Sequence, residues 1–152
     1  MVMGSYETEA RSRAPVEVVW EVISDAPGWS RWAGPMAREA GWDRDGDPPP
    51  DGVGAIRRLG RKPFYGREEI VERDPPHHMA YTVLSGVPVR GYHADVDLRP
   101  DGAGGTVIVW RGAFEPKVPG TAGLLSIVLG RIVGGFARRA ATEADRRVTA
   151  GP

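Results

Sequence analysis

From Thr121 to about Arg147 the apolar residues recur at helical spacing, over a length that few folds can use. Leu125, Leu129, Ile132, Phe136 and Ala140 fall on one stripe, and Arg138, Arg139, Thr142, Asp145 and Arg146 on the solvated face. At 1.5 Å per residue such a helix is about 40 Å long, enough to cross a whole small domain. The stripe has to be buried against something equally long. The only other helical pattern is short: Val16, Val19, Trp20 and Ile23 share a face after Ala14-Pro15, with proline expected at the first helical position. Trp29 and Trp32 follow, three residues apart, in what reads as a single helical turn.

The rest alternates with the period of strands. Ser5 to Ser12 sets Tyr6, Thr8 and Ala10 against Glu7, Glu9 and Arg11. Glu39 to Trp42 fits a short strand, and Asp43 to Gly54, with Pro48-Pro49-Pro50, reads as a loop. A meander follows: Ala55 to Leu59, Tyr65 to Glu72, Met79 to Ser85, Val89 to Leu98 and Thr106 to Glu115. Its turns are Gly60 to Phe64, Asp74-Pro75-Pro76, Gly86 and Asp101 to Gly105. Hairpins cannot build a parallel sheet, so the expected class is α+β with the helices on one side. A curved antiparallel sheet is then the one surface large enough for the long helix.

The 152 residues suit one domain, 1–152, with one core. There is no cysteine, which removes disulfides, thiolate metal sites and thiol nucleophiles together. Twenty basic and twenty acidic residues cancel without a basic block, so no nucleic-acid footprint is expected. Gly120 to Gly135 is broken by Arg131 and is too short to span a bilayer, and Met1 to Arg11 does not read as a signal peptide. We expect a cytoplasmic protein with no stable membrane insertion.

Several segments resemble a known family in the expected order. They are Ala14-Pro15-Val16-Glu17-Val18-Val19-Trp20, Ser24-Asp25 followed by Trp32, and Gly54-Ala55-Ile56-Arg57. Glu68 to Pro76, Tyr81, Tyr92 and Gly105-Thr106-Val107-Ile108-Val109-Trp110 complete the set. From Tyr6 to Arg147 the chain is similar to the polyketide cyclase/dehydrase and lipid-transport family, part of the START-like (SRPBCC) superfamily that includes the major birch pollen allergen. The resemblance implies a helix-grip fold: a curved sheet wrapped around the C-terminal helix with an internal cavity. It also implies binding of hydrophobic or aromatic molecules, with cyclisation or dehydration of polyketides in some members. Fold alone gives a pocket and not a reaction.

If the turn between the first two meander strands is centred at Lys62-Pro63, Arg57 lies opposite Glu68 on a face shared with Ala55, Leu59, Gly66 and Ile70. A charged pair there is either a polar anchor in an apolar pocket or a structural ion pair at the rim. A register one residue off puts Glu69 in place of Glu68. Tyr81 and Tyr92 are expected inward on adjacent strands, as ligand-facing phenols or as core. Trp110 and Phe114 continue that face, and Ile132 and Phe136 face it from the long helix. The tryptophans at 29 and 32 are either a lid or a packed cluster, and Trp32 is counted with the ligand-binding set. The candidate ligand-binding residues are therefore Trp32, Arg57, Glu68, Tyr81, Tyr92, Trp110, Ile132 and Phe136. Gly123, Gly130, Gly134 and Gly135 each cost about 1 kcal/mol in a helix; they are expected to leave room for the pocket or permit a bend, the alternative being close helix–sheet packing or a late helix start.

Other signals carry less. Adjacent His77 and His78 point to opposite faces of a strand with no third ligand at a useful spacing, so no metal is expected. The aspartates at 43, 45, 47 and 51 lack the glycine and glutamate of a calcium loop and read as a solvated acidic loop. Gly52-Val53-Gly54 does not join a strand to a helix, and no cofactor is expected. Three functions remain open. They are a non-catalytic carrier or sensor of a hydrophobic small molecule, a polyketide cyclase/dehydratase working by acid–base chemistry, and a regulatory interaction protein, as a homodimer for example. Which residues would be catalytic, and whether any are, is not readable.

Overall fold

A computed structural model describes residues 3–150. The N-terminal alternation forms β1 (Gly4–Ser12), followed by α1 (Val16–Ser24) and the single turn α2 (Trp29–Trp32). Short 3-10 turns, Ala26–Gly28 and Pro35–Ala37, flank α2. β2 (Glu39–Arg44), β3 (Ile56–Arg61), β4 (Phe64–Asp74) and β5 (His78–Ser85) come next. β6 (Val89–Pro100), β7 (Thr106–Pro116) and the long α3 (Ala122–Ala150) complete the order. The seven strands make one antiparallel sheet in the order β1-β7-β6-β5-β4-β3-β2. β2 to β7 each neighbour their successor, and α1 and α2 carry the chain from one edge to the other. The fold class expected from periodicity is the one observed.

Pro15 corrects a detail of the first helix. It is extended (ψ 161°) and caps α1 from outside, its carbonyl accepting N–H bonds from Val18 and Val19 at 3.0 and 3.2 Å. At the far hairpin, the Asp101 carboxylate accepts N–H bonds from Ala103 and Gly105 at 2.7 and 2.9 Å, which holds its pKa below the usual carboxylate value. The acidic loop is not simply solvated. Asp43 lies within β2 and bridges Arg58 and Arg67, at 2.6 Å to each, and Asp51 meets Arg73 at 3.2 Å.

The β3–β4 ladder runs without a break from Ile56 to Arg61 and pairs Arg57 with Glu68. Irregularities in β4, β5 and β6 interrupt the neighbouring ladders, between Arg67 and Glu68, Ile70 and Glu72, and Arg90 and His93. Bulges of this kind bend a sheet and increase its twist, which suits its wrapping of a helix.

α3 is built in two halves. Ala137, Ala140, Ala141 and Ala144 are buried along its C-terminal half, where small side chains let the helix lie close to its neighbours. α3 packs chiefly on β1, α1 and β7. Leu129, Ile132, Val133 and Phe136 project from the other half and line the gap that remains between α3 and strands β3 to β6. The helix glycines do not make this gap, contrary to expectation. A Cβ on Gly130 would stand 3.3 Å from the Tyr6 side chain, one on Gly134 would stand 3.5 Å from Thr8, and one on Gly123 would meet nothing. Gly130 and Gly134 allow close approach to β1. Across the sheet edge, Gly112 opposite Tyr6 likewise makes room for the Tyr6 ring.

Asp145, read as part of the solvated face, ties α3 to the start of α1. Its Oδ1 accepts hydrogen bonds from Ser12 Oγ and Arg13 N, both at 2.7 Å. Ser12 Oγ in turn accepts the Ala14 N–H at 3.1 Å, and Thr106 Oγ1 donates to the Ala14 carbonyl at 2.7 Å. Asp145→Ala should cost about 2 kcal/mol, because two hydrogen bonds to a charged acceptor are lost, one of them from the buried Ser12 hydroxyl, which keeps only the longer contact to the Ala141 carbonyl at 3.3 Å. Urea unfolding measures this, and a loss under about 0.5 kcal/mol would mean the knot is not holding the helix.

On the outer face, strand pairing assembles a group that sequence spacing does not reveal. His78 Nδ1 lies 2.8 Å from Asp97 and Nε2 lies 2.9 Å from Glu72, with Asp95 at 3.6 Å. Arg111 also reaches Asp97, at 2.9 Å, and His93 faces Asp95 at 3.5 Å. Burial pulls the His78 pKa down, but the hydrogen bonds to Glu72 and Asp97 outweigh it and the net shift is upward. A folded pKa above the unfolded one means the stabilisation is complete below about pH 6.5 and is lost as pH rises through the folded value. Unfolding between pH 5.5 and 8.5 should therefore show a decline that His78→Gln flattens. Parallel curves for the two proteins would remove His78 as the cause.

Candidate functional site

Ser12, Arg57 and Thr106 are the buried polar or charged residues among those described. Ser12 and Thr106 belong to the knot at the start of α1. Arg57 has no such role in the chain path, although its side chain is only 1% exposed. β3 presents it on the inner face between Ala55 and Leu59, where alternation aims it at α3. Its guanidinium carbon lies 4.7 Å from the Trp29 ring centroid and 4.6 Å from that of Tyr81. Nε donates to Glu68 Oε1 at 2.6 Å. Nη2 has no hydrogen-bond partner among the described residues. Burial acts to lower the Arg57 pKa, but the Glu68 carboxylate outweighs it and the net shift is upward, so the group is a fixed cation.

Arg57 and Glu68 line a cavity of about 150 Å³ between the sheet and α3. Tyr81, Tyr92, Trp110, Ile132 and Phe136 line it as well, with Trp29, Leu129 and Val133. Met36 and Gly86 are lining residues that are also exposed, which marks the mouth. Seven of the eight residues singled out from the sequence are thus brought to one cavity, five from the sheet and two from α3. Trp32 is the exception. It is buried 4.8 Å from Trp29, centroid to centroid, but does not line the cavity. The single turn of α2 sets both indoles on one side, and Trp29 is the one that reaches the cavity. Trp29 is fully buried and donates from Nε1 to the Ile23 carbonyl at 2.9 Å, so the pair is a packed cluster of the core and not a cover over the mouth.

The aromatic wall is hydrogen-bonded. Trp110 Nε1 donates to Tyr81 Oη at 2.9 Å, and the hydroxyls of Tyr6 and Tyr92 bond to each other. Tyr92 stacks between Tyr81 and Phe114, with centroids at 6.3 and 6.0 Å. Burial pushes the pKa of Tyr6, Tyr81 and Tyr92 upward, so all three stay protonated at neutral pH. They can donate or accept hydrogen bonds, but they are not bases. Tyr6 was missed as the partner of Tyr92. The available signal was its place on the inward parity of a strand, but the pairing of β1 with β7 is not written in local spacing.

On the outer face, Glu72, His78 and Asp95 bring ligand-type atoms within 4.8 Å of one another. The ligand partners come from neighbouring strands, which is why spacing along the chain did not show them. Both His78 nitrogens already meet carboxylates, which a protonated imidazole satisfies without a metal. No described helix is long and apolar enough to cross a membrane.

A curved antiparallel sheet gripping a C-terminal helix over a lined cavity defines the helix-grip class of the START-like superfamily. Within it, the chain belongs to the family described as polyketide cyclase/dehydrase and lipid transport, whose profile matches residues 3–147. No curated protein matches it in sequence. Among solved structures it is similar to the Zhui aromatase/cyclase from Streptomyces sp. R1128, with 21% identity, 99% of each chain covered and a TM-score of 0.78. A protein from Thermobifida fusca is 25% identical over 93% of both chains, with a TM-score of 0.75. Norcoclaurine synthase from Thalictrum flavum, in complex with dopamine and hydroxybenzaldehyde, is 20% identical over 99% of this chain and 89% of its own, with a TM-score of 0.69.

Proposed function

We propose that this protein binds a hydrophobic or aromatic small molecule in the cavity between sheet and α3, with the Arg57–Glu68 pair as its polar anchor. The observation that carries this is the buried guanidinium. Among the described residues, a planar fork of five N–H donors gives one hydrogen bond, at Nε, and is clamped between two aromatic faces. Burying a charge with donors unmet is costly unless a further acceptor completes it, and a ligand in the cavity would supply one. The surrounding wall is apolar and aromatic, as small-molecule sites usually are.

Native mass spectrometry of the purified protein, followed by denaturing extraction, tests this reading. A stoichiometric lipid or aromatic supports it and names the class. No co-purified ligand, with no thermal stabilisation across a hydrophobic library, would overturn it and shift weight to an interaction role.

A second reading, a cyclase or dehydratase, is favoured by Glu68 standing beside Arg57 on the cavity wall. Arg57 would polarise a substrate carbonyl and Glu68 would move the proton, since the phenols are held protonated. The Zhui relative is named an aromatase/cyclase. Turnover of a bound compound, abolished by Glu68→Gln with binding retained, would separate an enzyme from a carrier.

A further inference from the structure

The size and charge of the cavity narrow the ligand, given that the cavity is a binding site at all. An apolar cavity of about 150 Å³ accommodates a benzene ring, and the one lined here has about 150 Å³. A long acyl chain or a fused polycycle would have to leave much of its apolar surface outside the mouth or displace Trp29, Tyr81 or Trp110, all fully or almost fully buried. Interiors are packed too densely for such shifts to be cheap.

Charge narrows it further. The cavity wall holds one cation, Arg57, and one anion, Glu68, already paired at 2.6 Å. Its tyrosines are neutral. A carboxylate entering would shed most of its water and sit near Glu68 without a second counter-charge, which is unfavourable in a largely buried site. A carbonyl oxygen carries no such penalty. It can accept from the guanidinium, whose Nη2 has no acceptor among the described residues. Glu68 Oε2 likewise receives no hydrogen bond from described residues, so a hydroxyl on the same ring has an acceptor at hand.

We propose that the cavity takes an uncharged single-ring aromatic compound bearing a carbonyl oxygen, of the aryl-ketone or aryl-amide class, with the carbonyl on Arg57.

Acetophenone, benzoate and ethylbenzene are close to one another in shape and differ in charge and acceptor. Calorimetric titration of the full chain at pH 7.5 should show acetophenone binding about tenfold or more tighter than either, the effect of one hydrogen bond to a charged donor. The margin over ethylbenzene should vanish in Arg57→Met. If that variant does not fold, the comparison on the unsubstituted protein still decides. Benzoate binding as tightly as acetophenone would overturn the charge argument. Palmitate or 2-acetylnaphthalene binding where acetophenone does not would overturn the single-ring class and leave the binding cavity standing. If no probe binds and native mass spectrometry finds no ligand, the cavity reading falls with it. If no probe binds but a ligand co-purifies, only this proposal falls.

Discussion

Arg57→Ala is expected to destabilise the protein by about 3 kcal/mol and to abolish capture of any cavity ligand. Removing one partner of a buried ion pair leaves the other charge uncompensated, at about 3–5 kcal/mol. The Glu68 side chain retains 16% exposure, so water can reach it in part and the lower end applies. At about 2–4 °C per kcal/mol for a chain of this size, Tm should fall by roughly 6–12 °C. Loss of the guanidinium also removes the layer between Trp29 and Tyr81. A second variant separates stability from function. Arg57→Met with Glu68→Leu replaces the pair by apolar groups and should unfold near the unsubstituted protein, since buried pairs rarely stabilise over hydrophobic isosteres. It should still lose ligand. Near-normal stability and retained ligand in Arg57→Ala would show that the pair is neither anchor nor support.

Trp29→Ala should be the more damaging of the two for the fold, at about 3–5 kcal/mol. The Trp29 ring is fully buried, with centroids at 4.8, 5.2 and 6.0 Å from Trp32, Phe136 and Trp110. Its removal opens a void continuous with the existing cavity, strands the Ile23 carbonyl and uncovers one face of Arg57. Thermal and urea unfolding should both register it, with Tm lower by roughly 6–20 °C. A loss under about 1 kcal/mol would mean that α2 can move to fill the space and that the cavity is adjustable in shape.

Two residues one helical turn apart show where sequence reading stops. The spacing of Trp29 and Trp32 predicts a shared side and says nothing about which indole stands in front. That order depends on where α2 lies against β2 and α3. The Arg57–Glu68 pair was legible because a hairpin turn makes register a matter of counting from its centre, and the ladder kept that count without a bulge. Tyr6 and Tyr92 lie 86 residues apart, and no count from a turn joins them. His78, Glu72 and Asp95 were passed over for a different reason: they stand on three adjacent strands, β5, β4 and β6, and spacing along the chain does not join them. The helix glycines were misread because a missing side chain signals closeness and emptiness alike until the neighbour is known.

The sequence by itself determined the class of fold, the strand and helix periods, the inward parity of the aromatic residues and the pairing across the first tight hairpin. These follow from local geometry: 3.6 residues per turn, alternation along a strand, symmetry about a turn. Only the tertiary structure decided that β1 closes on β7, that Trp29 and not Trp32 meets the cavity, and that alanines seat one half of α3 while large side chains of the other half line the cavity. Those depend on contacts between segments far apart in the chain, where packing and not periodicity selects the partner.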